Sequence, residues 1–288
     1  MEGDAFFFPF TSHYSHLTKK NGMKKILIIS SIILVAIIFA MCSRDDPSLN
    51  IFSVNQDIEF GQTLDNEILS NPSEYPILSK HDYQEAYEHL ERIRDNLLAG
   101  GEHKYKDRFD WEVKIIDQDV LNAFAAPGGY MYFYSGLIKF LENESQFAGV
   151  MAHEMAHVDR RHSTDNLTKQ YGFSIMVGMI LGDNPGQLAE IAAGMANGLS
   201  SLAFSRKNEY EADEYAVIYM KKTDYQPCAL GDFFTLLEAQ TGSTTHPPVF
   251  LSTHPSPDDR QERINENCAG TSGDTYVTRY QEFQNSLP

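Results

Sequence analysis

Apolar residues recur along this chain with two periods. Ile58, Gly61, Leu64 and Ile68 share one side of a short helix, which Asn71-Pro72-Ser73 stops. Tyr83, Ala86, Leu90, Ile93 and Leu97 give a longer helical stripe, closed by Gly100-Gly101. The period then falls to two. Residues 111–116 alternate and are rich in β-branched side chains, 122–126 form a second short segment, and 130–134 a third, with Pro127-Gly128-Gly129 as a turn. Helical spacing returns from about Leu137. Phe147, Val150, Met151 and Val158 mark a helix face, with Asn143 as N-cap and Gln146 as its capping-box partner. Residues 164–204, rich in Ala, Gly and Met, predict a buried helical hairpin; its apolar stretch 173–181 is too short to span a bilayer, and Asp183 follows. A last helix opens with Ser256 as N-cap, Pro257 at its first position, and Asp258 and Asp259 at its positive end. This order predicts an α+β fold, mostly helical, with a small antiparallel or mixed sheet packed on helix 143–158.

The chain's start follows neither period. Residues 1–22 are aromatic-rich and aperiodic. Met23-Lys24-Lys25 then leads into an apolar run, Ile26 to Met41, broken only by Ser30 and Ser31 and ending at Cys42. A basic start and an apolar core describe a secretory leader, with Met23 as initiator and 1–22 as an over-long start. A transmembrane helix is the other reading, although the run is short for one. The run's end, Phe39-Ala40-Met41-Cys42, resembles the bacterial lipobox, which implies lipidation of Cys42; Met41 departs from the small residue usual there. The expected organisation is a lipoprotein leader over 1–42, a tether over 43–56, one folded domain over 57–269, which carries the candidate chemistry described below, and a docked or frayed tail over 270–288.

Composition narrows the function. The 288 residues are 42% hydrophobic and 12% aromatic, enough for a sizeable core. The net charge of −17 repels phosphate backbones, so no nucleic-acid partner is expected. Three cysteines are too few for a disulfide scaffold, and none lies in a C-x-x-C pair. In an exported chain with Cys42 acylated, Cys228 and Cys268 remain in an oxidising space; they form one bridge or stay as two buried thiols.

The candidate chemistry centres on His153-Glu154-Met155-Ala156-His157. On a helix, residues four apart share a face, so His153 and His157 can grip one ion. Glu154 stands about 100° round the helix, beside the metal, where a general base belongs. Catalytic zinc takes three protein ligands and keeps one open position. A glutamate on a second helix completes the set. Glu209 and Asp213, four apart, suit the roles of third ligand and of hydrogen-bond acceptor behind a ligand histidine. Glu211 and Glu214 are expected to point to solvent. His162 projects about 140° off the face of His157 on a continuous helix, so it is expected to hydrogen-bond or be solvated rather than bind metal. The strand just before the metal helix could be a sheet edge that receives an extended peptide, or an ordinary core strand.

The H-E-x-x-H motif, the E-x-x-x-D of Glu209 and Asp213 some fifty residues on, and Thr253-His254-Pro255-Ser256-Pro257-Asp258-Asp259-Arg260 together resemble the HtpX and CaaX-prenyl-protease family of zinc metallopeptidases. Pro127-Gly128-Gly129 also fits the family's turn before the zinc helix. Without that family's transmembrane helices, the chain is similar to the soluble periplasmic BepA-like branch, over roughly 55–265. The resemblance implies a zincin-type fold, Zn2+ held by His153, His157 and Glu209, and Glu154 as catalytic base. It also implies that His254 can reach the zinc. As a fourth ligand His254 keeps the enzyme off; swung away, it or Arg260 donates to the oxyanion; or it simply packs on the metal helix. The expected function is zinc-dependent cleavage of unfolded or misassembled envelope proteins, outer-membrane proteins among them, by a lipid-anchored enzyme of the periplasm or outer membrane. Two rivals stand beside it: a chaperone-like assembly factor with a latent, histidine-capped site, and a structural zinc site.

Overall fold

The first described helix, α1 (Val54–Leu69), begins inside the stretch expected to be a tether. Ser53 and Gln56 form a reciprocal capping box there, which satisfies backbone N–H groups at the helix start. The computed structural model describes residues 50, 52–100, 102–171, 185–196, 198, 203–241, 249–255 and 259–288. The leader, Cys42, the stretch 173–181 and the residues read as the cap of the last helix, Ser256 to Asp258, lie outside them.

Next come α2 (Gln84–Ala99), then β1 (Val113–Ile116), β2 (Ala123–Ala126), a 3-10 turn at Pro127–Gly129 and β3 (Tyr130–Tyr134). The strand order is β1-β3-β2, with β1 parallel and β2 antiparallel to β3, so the sheet is mixed. The strand before the metal helix is therefore the central one, and the edge reading given to it fails. Strand β2 is the edge on that side. It is partly covered: Phe250 N–H donates to the Leu121 carbonyl at 3.0 Å, and Ser163 Oγ to the Ala125 carbonyl at 3.4 Å.

Alternation along β3 sends its side chains to two cores. Met131 and Phe133 join the larger one, with Leu90, Ile93 and Leu97 of α2. Tyr130, Tyr132 and Tyr134 join Phe60, Leu64 and Ile68 of α1 in the other. Helix α1 comes so close to the 3-10 turn that a Cβ at Gly61 would lie 1.9 Å from the Pro127 carbonyl oxygen. Any larger residue there must push the two elements apart.

A short helix, α3 (Ser135–Phe140), leads to α4 (Glu144–Asp159), the metal helix. All of α4 is buried, which explains why a one-sided stripe described it poorly. Asn143 caps it by accepting from Gln146 N–H at 3.0 Å, but the Gln146 side chain accepts from Glu142 N–H instead of closing the box on Asn143. At its first position, the buried Glu144 carboxylate receives Arg92 from α2, Arg279 from near the chain's end, and the Tyr225 hydroxyl.

Helix α4 stops at Asp159, and α5 (His162–Tyr171) starts almost at once. Arg161 makes the break with a left-handed φ of 60°, a conformation costing a non-glycine residue about 1–2 kcal/mol. Its guanidinium is held by Asp57 and the Phe52 carbonyl. Helix α6 (Pro185–Ala196) packs on α1 rather than over the metal helix, with Ala192, Met195 and Ala196 in the α1 core. Then follow α7 (Arg206–Met220), α8 (Ala229–Thr241), α9 (Val249–Thr253), α10 (Arg260–Asn267) and α11 (Val277–Asn285). The last is a docked helix, with Tyr280 and Phe283 buried, so the tail is part of the fold. Cys228 and Cys268 are bonded, tying the start of α8 to the end of α10.

Candidate active site

Helices α4 and α7 make the most extensive helix–helix contact among the described residues. That contact sets His153 and His157 opposite Glu209. Ser205 caps α7, accepting from Asn208 N–H at 3.2 Å, and so fixes the turn that carries Glu209. Helix α9 ends at Thr253 and delivers His254 to the same point.

The donor atoms of His153, His157, Glu209 and His254 lie within 4.8 Å of one another. His153 Nε2 is 3.0 Å from His157 Nε2 and 3.2 Å from His254 Nδ1. Glu209 Oε1 is 3.2 Å from His254 Nδ1 and 3.5 Å from His157 Nε2. Donors on a tetrahedron around zinc, each about 2.0–2.1 Å from the ion, are roughly 3.3 Å apart. The four atoms therefore fit the ion, with His254 in the position that a three-ligand catalytic site leaves open. His254 is steadied by stacking on Phe250 at 4.4 Å, and His157 by stacking on Phe204 at 3.9 Å.

Electrostatics also suit a cation. Burial alone would lower the His153 imidazole, yet Asp213 and Glu209 outweigh it and hold it up at about 9. Burial works against the Glu209 carboxylate as well; the three histidines around it nevertheless keep it well below the usual carboxylate range. His157 goes the other way, its imidazole lowered by burial. A neutral imidazole is the form that binds metal.

Asp213 Oδ1 lies 3.0 Å from His153 Nδ1. Arg260, the first residue of α10, is wholly buried and grips both Asp213 oxygens. It also meets Glu209 Oε2 at 2.9 Å and donates to the carbonyls of His254 and Pro255. Its nitrogens are all engaged with the groups that hold the donors, so it does not face a substrate as an oxyanion donor.

Glu154 is wholly buried, and among the described residues neither of its oxygens has a hydrogen-bond partner. His254 Nε2 lies 3.4 Å from its Oε1. Burial raises the Glu154 carboxyl above its ordinary value. A carboxyl kept without partners beside a metal-donor set is placed to take and return a proton.

Glu211 departs from its sequence reading, whereas His162 is hydrogen-bonded, one of the two roles expected for it. Glu211 is not simply solvated: Arg160 Nε donates to it at 2.6 Å, and His162 Nε2 lies 3.4 Å away. His162 reaches His157, Nδ1 to Nδ1 at 2.9 Å, because the break at Arg161 ends the helix on which its angle was projected. Glu214 is exposed, as expected.

With this geometry in hand, comparison with known proteins is informative. Residues 85–267 match the sequence profile of Peptidase family M48. The β-barrel assembly-enhancing proteases of Yersinia pestis and Escherichia coli K12 are 33% and 34% identical to the chain, each over 51% of it and 32% of their own length. The mitochondrial metalloendopeptidase OMA1 of Schizosaccharomyces pombe is 32% identical over 54% of the chain and 46% of its own. The match thus spans between a third and a half of these relatives. With the profile covering more than half of the sequence, the chain belongs to peptidase family M48, a family of zinc metallopeptidases.

Proposed function

We propose that the protein is an endopeptidase of the bacterial envelope that cleaves unfolded or misassembled proteins, β-barrel proteins among them. His153, His157 and Glu209 hold the zinc, and Asp213 and Arg260 orient that set. A zinc ion held there would supply Lewis acidity toward the scissile carbonyl and toward a water. Glu154 takes the proton of the attacking water and hands it to the leaving amine. The observation that carries this reading is the buried Glu154 carboxylate, which among the described residues has no hydrogen-bond partner and only His254 Nε2 nearby, at 3.4 Å. A purely structural zinc site has no use for it, and burying it without a partner costs free energy. The names of the bacterial relatives, which tie them to β-barrel assembly, support the substrate class.

The four-donor arrangement supports a second, compatible state: a latent site capped by His254, in which the protein acts as a chaperone-like assembly factor. Cleavage of casein and of an unfolded β-barrel protein separates the two. Glu154→Gln is expected to keep one zinc per chain and lose cleavage. Equal cleavage by wild type and Glu154→Gln sinks the mechanism; no cleavage by either leaves the assembly factor.

The leader ending at Cys42 supports anchoring through a lipid on that residue, in the periplasm or outer membrane. Retention of labelled acyl chain by wild type, and its loss in Cys42→Ser, is the expected result.

A further inference from the structure

The two histidines of the metal helix are backed differently. Behind His153 stands a carboxylate, Asp213. Behind His157 stands another imidazole, His162, with Nδ1 facing Nδ1 at 2.9 Å and the rings edge to face. Behind His162 comes Glu211, 3.4 Å from Nε2, and behind Glu211 comes Arg160 at 2.6 Å. His162 is buried and opens α5, directly after the left-handed Arg161. The segment before α1 braces this corner: Asn50 donates to the Thr164 hydroxyl at 2.7 Å and to the Arg161 carbonyl at 3.4 Å.

We propose that His162 is a positioning residue for the metal centre: with Glu211 and Arg160 behind it, it fixes the tautomer and ring angle of His157. The proposal rests on His157 being a zinc ligand. A ligand nitrogen must offer a lone pair, so neutral His157 keeps Nε2 bare and carries its proton on Nδ1. That N–H is buried and needs an acceptor. His162 Nδ1 is the group within reach, so the His162 proton sits on Nε2 and is donated to Glu211. Arg160 can only donate. Glu211 accepts from Arg160 Nε at 2.6 Å and so has an oxygen left to receive His162. The fixed end of the chain sets its direction. The reverse order would put a proton on His157 Nε2, where the metal must bind. Phe204, stacked on the other side of the ring, leaves His157 little freedom to turn away.

An apolar side chain at 162 would fill the space but strand the His157 N–H, and this difference makes the idea testable. The measurements are zinc affinity, by competition with a chromophoric chelator, and the visible spectrum of the protein loaded with Co2+. His162→Leu is expected to weaken zinc binding about 10–100-fold, the usual loss when the group behind a ligand is removed, and to shift the cobalt bands. His162→Gln, whose amide can accept from His157 and donate to Glu211, should stay within about threefold of wild type. Wild-type affinity with unchanged cobalt bands in His162→Leu overturns the proposal. So does a loss in His162→Gln as large as in His162→Leu, which would make the role one of shape. Should His162→Leu not fold, as judged by the melting of the metal-free protein, Glu211→Leu decides: weaker zinc binding supports the relay, and wild-type affinity overturns it. His157→Ala is the separate control, and wild-type zinc binding there would remove the ligand reading itself.

Discussion

Arg260 holds Asp213 through two hydrogen bonds of 2.7 Å, with both side chains buried. This pair links the last turn of sequence around the site to the ligand His153. A planar fork can engage two carboxylate oxygens at once, and an ammonium cannot. Arg260→Lys is therefore expected to fold but to bind zinc about 10–100-fold more weakly. Arg260→Ala leaves Asp213 and Glu209 uncompensated and should cost about 3–5 kcal/mol. Chelator competition and urea unfolding read the two effects; a lysine variant with wild-type affinity would show that the bidentate contact is dispensable.

His254 offers a signed test of the capped state. If an uncapped form makes up about 1–10% of molecules, removing the cap should raise peptide turnover roughly 10–100-fold. His254→Ala is expected to do so while still holding one zinc per chain. A fall in turnover would instead assign His254 to the transition state.

His103 gives the fold a pH dependence of its own. Burial drives its imidazole down to about 4 from 6.5, and among the described residues neither ring nitrogen has a hydrogen-bond partner. It stacks on Tyr219 at 3.8 Å. As pH falls, the unfolded chain takes up this proton before the folded one. The contribution of His103 is thus whole above pH 6.5 and is lost between 6.5 and 4, by about 3 kcal/mol. The difference in urea stability between wild type and His103→Phe, measured at pH 7 and pH 4.5, should change by an amount of that order. A difference independent of pH would rule out the effect.

The Cys228–Cys268 bond closes a loop of 40 residues in sequence separation. In the chain-entropy view such a closure is worth about 3–4 kcal/mol. It also fixes α10, which carries Arg260 at its start. Reduction should lower the melting temperature and, with it, zinc affinity; a melt indifferent to reductant would remove the bridge from the stability of the fold.

What was legible in the sequence was local. His153 and His157 meet because they are one helical turn apart, and Glu209 and Asp213 for the same reason. The three strands were legible from alternation, but not their order, since periodicity carries no information about which strand lies in the middle. A hydrogen-bonded His162 was legible, but not its partner His157, because the helical projection ran through Arg161, where one left-handed residue redirects the chain. The partners of Glu144 were invisible, because Arg92 and Arg279 stand far from it on either side and no spacing rule joins them.

That last arrangement has a consequence in time. A chain made from its N-terminus presents Arg92 before the metal helix exists, and Arg279 long after His153, His157 and Glu209 have been made. The start of the metal helix is thus clamped on one side early and on the other late. During synthesis every donor of the centre can be present while the helix that carries two of them is still only half secured. The second arginine of the clamp can reach Glu144 only once nearly the whole chain has been made.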